Sequence, residues 1–183
     1  MLDKGALRKK FLAARRAMDL DLVQAHSEAI CCRVIELPSF KEAHAVALYA
    51  PIRNEVDTEL IFHEARRLSK KVLYPRVVAK ELKFCEVTHL SELELGAWGI
   101  LEPPEWSEVS IALADLVILP GVVFDREGRR LGYGKGYYDG ALRDFGGFKL
   151  GLAFSCQIVD ELSDHSNDIR LDCVMTESGP YPK

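Results

Sequence analysis

From Gly128 to Asp139 the chain reads GRRLGYGKGYYD, setting three alternating glycines, Gly132, Gly134 and Gly136, beside Arg130, Lys135 and Asp139. Glycine permits tight backbone angles and exposes successive amides, and Arg130 and Lys135 can neutralise phosphate oxygens. Asp139 can cap a following helix or hold Mg²⁺ through oxygen. The chemistry this points to is phosphate handling. The spacing is neither of the two common nucleotide patterns: five residues separate Gly128 from Gly134 and Gly136 follows Lys135, so G-x-x-x-x-G-K-[ST] fails, and the alternation breaks G-x-G-x-x-G. Tyr137 and Tyr138 can pack in the core beside a helix start, or set a ring against a planar ligand and a hydroxyl against a polar atom.

A second cationic group stands at the amino end. Lys4 and Arg8 are four positions apart, so they share one face of a helix. That face is either solvated or a jaw closing on phosphates from the other side. Arg15 and Arg16 read as charges for solubility or surface pairing. Ser155 and Cys156 lack a recognisable activating partner, and His165 reads as structural, as a loop residue or as an accessory binder.

The elements that must position these groups follow from periodicity. Lys4 to Met18 is rich in Ala, Leu, Lys and Arg and predicts a helix with Leu7, Phe11 and Ala14 inward. A second helix is expected from Asp21, with Gln24 completing a capping box, to the Leu37-Pro38 boundary. Strands are expected at AVALY (Ala45 to Tyr49), KVLYP (Lys71 to Pro75), LKFCEV (Leu82 to Val87), LGLAF (Leu150 to Phe154) and CVMT (Cys173 to Thr176). Asp57 or Thr58 should cap the helix carrying Leu60, Ile61 and Leu68. DLVILPGVVF, from Asp115 to Phe124, predicts a central strand and its exit loop, and DREGRR, from Asp125 to Arg130, then falls beyond the carboxyl end of that strand, where open parallel sheets bind ligands. A helix from about Tyr137 to Arg143 follows the glycines. WGILEPPEW (Trp98 to Trp106) and Asp160 to Asp172 read as irregular crossings.

Composition limits the function classes. With 183 residues, one layered α/β domain with a sizeable core is expected. Five cysteines without a CxxC pattern give neither a disulfide framework nor a zinc site. No stretch has the apolar length of a secretion signal or a membrane span, so a cytoplasmic protein without membrane contact is expected. A formal net charge of -4 argues against a general nucleic-acid surface while leaving room for a local cationic pocket.

Several separated segments together resemble the 5-formyltetrahydrofolate cyclo-ligase family over almost the whole chain. They are KGALR (Lys4 to Arg8), YAPIRNEVDT (Tyr49 to Thr58), LYPRV (Leu73 to Val77), ADLVILPG (Ala114 to Gly121) followed by Phe124 through Asp139, and LDCVMTE (Leu171 to Glu177). The resemblance implies an α/β fold with a mostly parallel central sheet flanked by helices, like the ribose-phosphate isomerase and coenzyme-A transferase group. It implies ATP as co-substrate, Mg²⁺, and 5-formyltetrahydrofolate as substrate, in a monomer or alternatively a dimer. By the same resemblance Arg130 and Lys135 are catalytic, and Lys4, Arg8, Arg130, Gly132, Gly134, Lys135, Gly136, Tyr137 and Asp139 bind the nucleotide. Glu55, Trp98, Phe124 and Tyr138 bind folate, and Asp139 and Asp172 hold the metal. Tyr133 stands where some members carry a cation, which shifts phosphate binding toward Arg130 and Lys135, and Gly140 stands where a basic residue is common. The alternative reading is a small-molecule kinase or another ATP-dependent ligase on the same scaffold.

Overall fold

The computed structural model describes residues 3–104, 108–163 and 168–182, and Ala97 by its backbone alone. Trp106 and His165 lie outside the described residues. Helix α1 (Lys4–Arg16) starts where the Asp3 carboxylate accepts the Gly5 N–H at 2.9 Å. Its inward face runs through the half-buried Leu7 and the buried Phe11 to Arg15, while Ala14 is exposed. The spacing i, i+4, i+8 carries one face through these three positions, so the expectation of an inward Ala14 is corrected. Helix α2 (Leu20–Glu36) is capped by Asp19, whose side chain accepts from the Asp21 N–H, instead of by the Asp21 and Gln24 box expected. Pro38 then opens the one-turn α3 (Pro38–Lys41), a position where its missing N–H costs nothing.

Strand β1 (Ala45–Ala47) leads to α4 (Glu59–Arg67). Of the two candidate caps it is Asp57 that accepts the Glu59 N–H at 2.8 Å, because the Thr58 hydroxyl donates to the Tyr49 carbonyl. Then come β2 (Lys71–Val78), β3 (Glu81–Glu86), β4 (Glu94–Leu95), β5 (Leu101–Glu102) and β6 (Glu108–Val109). The rest are β7 (Leu116–Leu119), β8 (Val123–Asp125), β9 (Arg130–Leu131), α5 (Tyr137–Ala141), β10 (Phe148–Leu152), β11 (Ile158–Val159), β12 (Cys173–Thr176) and β13 (Gly179–Tyr181).

The main sheet runs β13-β12-β10-β7-β1-β2-β3-β6. Its middle, from β12 to β2, is parallel, and antiparallel pairing adds β13 at one end and β3 followed by β6 at the other. β1 sits between β2 and β7, with Val46 paired to both Val72 and Leu116. Buried on both faces, these strands read as unbroken apolar runs. One face packs on α2 and α4 through Ile30, Val34, Ile61 and Phe62, and the other holds Leu73, Val117, Leu119 and Phe124. No helix among the described residues is long and apolar enough to cross a membrane.

Two expectations need correction here. DLVILPGVVF is two strands in two sheets, since the chain turns at Pro120 and Gly121 and continues as β8 beside β9 and β11. DREGRR forms mostly the β8–β9 turn instead of a ligand loop. Its fully buried Asp125 accepts the N–H groups of Glu127, Arg129 and Leu162 and pairs with the Arg129 guanidinium at 3.0 Å. Arg130 leaves that turn within β9 and heads the glycine loop.

Candidate functional site

A cavity of about 500 Å³ opens where β1 and β7 end, beside Tyr49, Ala50 and Pro120. This is the carboxyl edge of the parallel strands, the usual ligand position in such sheets. The glycine loop and α1 bring cations to it. Arg8 Nε donates to the Gly132 carbonyl at 2.8 Å, so the helix and the loop are joined. Gly134 has φ of +93°, and a Cβ built on it would lie 3.3 Å from the Arg8 guanidinium carbon, so the backbone bend and the close approach both call for glycine. Gly136, at φ of +68°, precedes α5 as its N-cap.

Arg130 Nη2 meets the Asp139 carboxylate at 3.0 Å, Nη1 donates to the Pro120 carbonyl, and the guanidinium lies 5.6 Å from the Tyr138 ring centroid. Its Nε is buried and has no hydrogen-bond partner among the described residues. Lys4 pairs with Asp168 at 3.1 Å, and the exposed Lys135 ammonium stands 5.1 Å from the centroid of the Trp98 ring. Trp98 is 66% exposed, on the connection between β4 and β5, with φ of +64°. Tyr137 and Tyr138 also line the cavity. Burial raises the Tyr138 hydroxyl pKa, with Arg130 acting in the opposite direction.

Glu55 is only 6% exposed yet lines the same cavity. Its Oε1 accepts from the Tyr133 hydroxyl at 2.9 Å and faces Arg15 Nη2 at 3.5 Å, and its Oε2 accepts the Ile52 N–H at 3.0 Å. Burial raises the Glu55 pKa, and Arg15, the Ile52 amide and Tyr133 work against that rise. Tyr133 is itself pushed up to about 12, chiefly by burial and then by the neighbouring carboxylate.

The structure thus brings Lys4, Arg8, Arg130, Gly132, Gly134, Lys135, Gly136, Tyr137, Asp139, Glu55, Trp98 and Tyr138 to one cavity. Phe124 is not among them. It is fully buried, and its ring lies against Gly121 and Gly151, where an added Cβ would come within 2.4 and 2.8 Å, so it supports the floor without facing a ligand. Asp172 is also absent from the lining. It precedes β12 at that strand's amino end, and its carboxylate accepts the Lys149 N–H at 2.7 Å and pairs with the Lys149 ammonium at 3.5 Å.

Sequence reasoning missed three side chains. Arg15, expected at the surface, is 1% exposed and donates to the carbonyls of Arg53 and Gly121 as well as to Tyr133. The helical phase of Leu7 and Phe11 was the signal that could have found it. Tyr133 donates to Glu55, and Asp168 is a second aspartate in the cavity lining beside Asp139. Nothing in the local pattern around Asp168 marks it.

The signature of the 5-formyltetrahydrofolate cyclo-ligase family matches residues 1–177. The chain belongs to that family. Members of the cyclo-ligase family similar to it include a mitochondrial 5-formyltetrahydrofolate cyclo-ligase from Arabidopsis thaliana, 32% identical over 98% of this chain and 76% of that protein. A 5-formyltetrahydrofolate cyclo-ligase from Escherichia coli is 31% identical over 90% of this chain and 94% of its own length. Among solved structures, a 5,10-methenyltetrahydrofolate synthetase from Aquifex aeolicus superposes with a TM-score of 0.88 at 38% identity, covering 97% of this chain and 91% of that one. A synthetase of the same name from Mycoplasma pneumoniae gives 0.80 at 28% identity over 96% and 99%.

For a cyclo-ligase that takes ATP, the question of Mg²⁺ comes down to the carboxylates facing the cavity. Among the described residues no three His, Cys, Asp or Glu side chains gather into a metal cluster. Mg²⁺ is commonly held by one or two carboxylates together with substrate phosphates, and Asp139, in the cavity beside Arg130 and Lys135, fits that mode. Asp172, outside the cavity lining, does not complete it.

Proposed function

We propose that this chain cyclises 5-formyltetrahydrofolate to 5,10-methenyltetrahydrofolate at the expense of ATP, with both ligands in the one cavity. A single observation supports it most: Lys4, Arg8, Arg130 and Lys135 line the same 500 Å³ space as the buried carboxylate Glu55 and the rings of Trp98 and Tyr138. Phosphate-binding cations and a wall suited to a flat, polar-edged ligand therefore share one chamber.

The reaction needs both. The formyl oxygen is a poor leaving group until it is phosphorylated. It attacks the terminal phosphorus of ATP, the bond from that phosphorus to the ADP oxygen breaks, and an N5-iminium phosphate results. N10 then adds to the activated carbon and gives up its proton, the carbon–oxygen bond breaks, and phosphate leaves with the former formyl oxygen. Arg130 and Lys135 act on the phosphoryl group as charge accumulates on its oxygens, without covalent participation. Lys4 and Arg8, on the helix docked to the loop, hold the remaining phosphates. Glu55 takes hydrogen bonds from the pterin, Trp98 and Tyr138 cover its faces, and this wall keeps the formyl oxygen in line with phosphorus and N10 near the carbon afterwards. Asp139 would hold Mg²⁺, which when bound neutralises phosphate charge.

Purified protein given ATP, Mg²⁺ and 5-formyltetrahydrofolate without oxygen tests the proposal. Equimolar ADP, phosphate and methenyltetrahydrofolate is the expected result, and conversion without ATP, or ADP formed without folate product, would overturn it.

A further inference from the structure

Arg15 does not line the cavity, yet it reaches three of the segments that do. From α1 its Nε donates to the Arg53 carbonyl after β1 at 3.1 Å, its Nη1 to the Gly121 carbonyl after β7 at 2.9 Å, and its Nη2 to the Tyr133 hydroxyl in the glycine loop at 2.5 Å. Asn54 returns a hydrogen bond to the Arg15 carbonyl at 3.3 Å. Arg53 and Asn54 hold φ of +52° and +57°, so this loop is bent into a conformation that side chains adopt reluctantly, and Arg15 is what its backbone rests on.

A guanidinium can only donate, so the Tyr133 oxygen accepts from Arg15 and its own proton is left to point at Glu55 Oε1. The direction of the phenol is therefore fixed by its neighbour. The short contact runs Arg15 to Tyr133 to Glu55, whereas the direct Arg15–Glu55 approach is longer, at 3.5 Å. With Oε2 held by the Ile52 amide, the carboxylate cannot turn, and its remaining acceptor capacity faces the cavity.

We propose that Arg15 and Tyr133 are positioning residues for Glu55, together holding that carboxylate ionised and in one orientation for the pterin. This rests on the reading of Glu55 as the folate-binding acceptor. The charged and titratable groups facing it are Arg15 from α1, Arg53 from the loop after β1, Tyr49 from the end of β1, Tyr133 from the glycine loop and Tyr138 from α5. Tyr133 thereby works on the folate side of a loop whose other residues serve phosphate.

The test is equilibrium binding, measured calorimetrically and separately for 5-formyltetrahydrofolate and for ATP, so that it does not depend on turnover. Tyr133→Phe keeps the ring and removes one hydrogen bond to a charged group. It should weaken folate binding about tenfold and leave ATP binding within about twofold. Loss of that donor favours the protonated carboxylate, so folate affinity should begin to fall at a higher pH than in the unaltered protein. Arg15→Lys, which keeps the charge but not the three-way fork, should move the same constants in the same direction. Unchanged folate affinity and pH dependence in Tyr133→Phe overturns the proposal, as does an equal loss for both ligands, the mark of general loosening. Glu55→Gln separates the two claims. If it weakens folate binding while Tyr133→Phe does not, only the positioning role falls; if it leaves folate binding intact, the folate role of Glu55 falls and the positioning role with it.

Discussion

The Lys135 ammonium lies 5.1 Å from the centroid of the Trp98 ring, a cation–π contact joining the glycine loop to the β4–β5 connection. Such a contact at an exposed site contributes roughly 0.5–1 kcal/mol, less than a charge-assisted hydrogen bond to phosphate, so bound ATP should draw the lysine away. The chain has two tryptophans, and Trp106→Phe leaves Trp98 as the sole reporter. In that background ATP alone should change the emission of Trp98, and Lys135→Ala should abolish the change. A spectrum indifferent to ATP would mean that the two residues are not exchanged in this way.

Removing either loop cation should slow phosphoryl transfer. Lys135→Ala and Arg130→Ala are each expected to lower kcat by about 10²–10³-fold, the usual loss for one transition-state donor. Rapid-quench measurement of ADP formation at saturating folate checks this. Arg130→Ala also removes the guanidinium that pairs with Asp139 at 3.0 Å, so that carboxylate meets Mg²⁺ without a competing cation and the Mg²⁺ requirement should not rise.

The two aspartates expected to share a metal should behave differently. Asp139→Asn, altering a carboxylate at the cavity, is expected to raise the Mg²⁺ concentration for half-maximal rate, whereas Asp172→Asn changes a half-exposed pair with Lys149 and should leave it unaltered. Titrating Mg²⁺ against turnover in both variants would decide, and an equal effect would restore Asp172 to the site.

Phe124 yields a prediction about stability instead of affinity. Phe124→Leu opens space beneath Gly121 and Gly151 and should lower unfolding free energy by ~1–3 kcal/mol in urea titrations. The KM for folate should stay close to its original value. A large rise in that KM with unchanged stability would put the ring in the pocket.

The pH dependence of folate recognition follows from Glu55. Burial holds its pKa above the ordinary value of about 4.3, so it takes up a proton at a higher pH than an exposed glutamate. Because the ionised form is the better acceptor, the KM for 5-formyltetrahydrofolate should climb on acidification from above the normal carboxylate range, while the KM for ATP stays flat there. A folate KM independent of pH down to the ordinary glutamate range would contradict this role.

How far the sequence carried these conclusions can be seen residue by residue. The apolar runs at Val46, Val117 and Leu150 were legible as buried strands because burial on both faces leaves no alternation to confuse. The glycine loop was legible because few residues other than glycine tolerate its bends. Arg15 was legible only in part: the phase of Leu7 and Phe11 turns it inward, but its partners Glu55, Gly121 and Tyr133 lie far along the chain, where no local pattern displays them. Phe124 was expected at folate by resemblance alone; the apolar run shows only that the ring is buried, and it lies outside the cavity lining. The same limit explains Asp168 and Asp172: only the path of the chain after β11 decides which of them reaches the cavity.

Transfer of the formyl oxygen to phosphorus inside the cavity is the step that sets this reaction apart from simple ATP hydrolysis. Substrate labelled with ¹⁸O in the formyl group, turned over by the purified protein with ATP and Mg²⁺, tests this through mass analysis of the released phosphate. One ¹⁸O per phosphate, with none in ADP, is the predicted result. Unlabelled phosphate accompanying methenyltetrahydrofolate would contradict it.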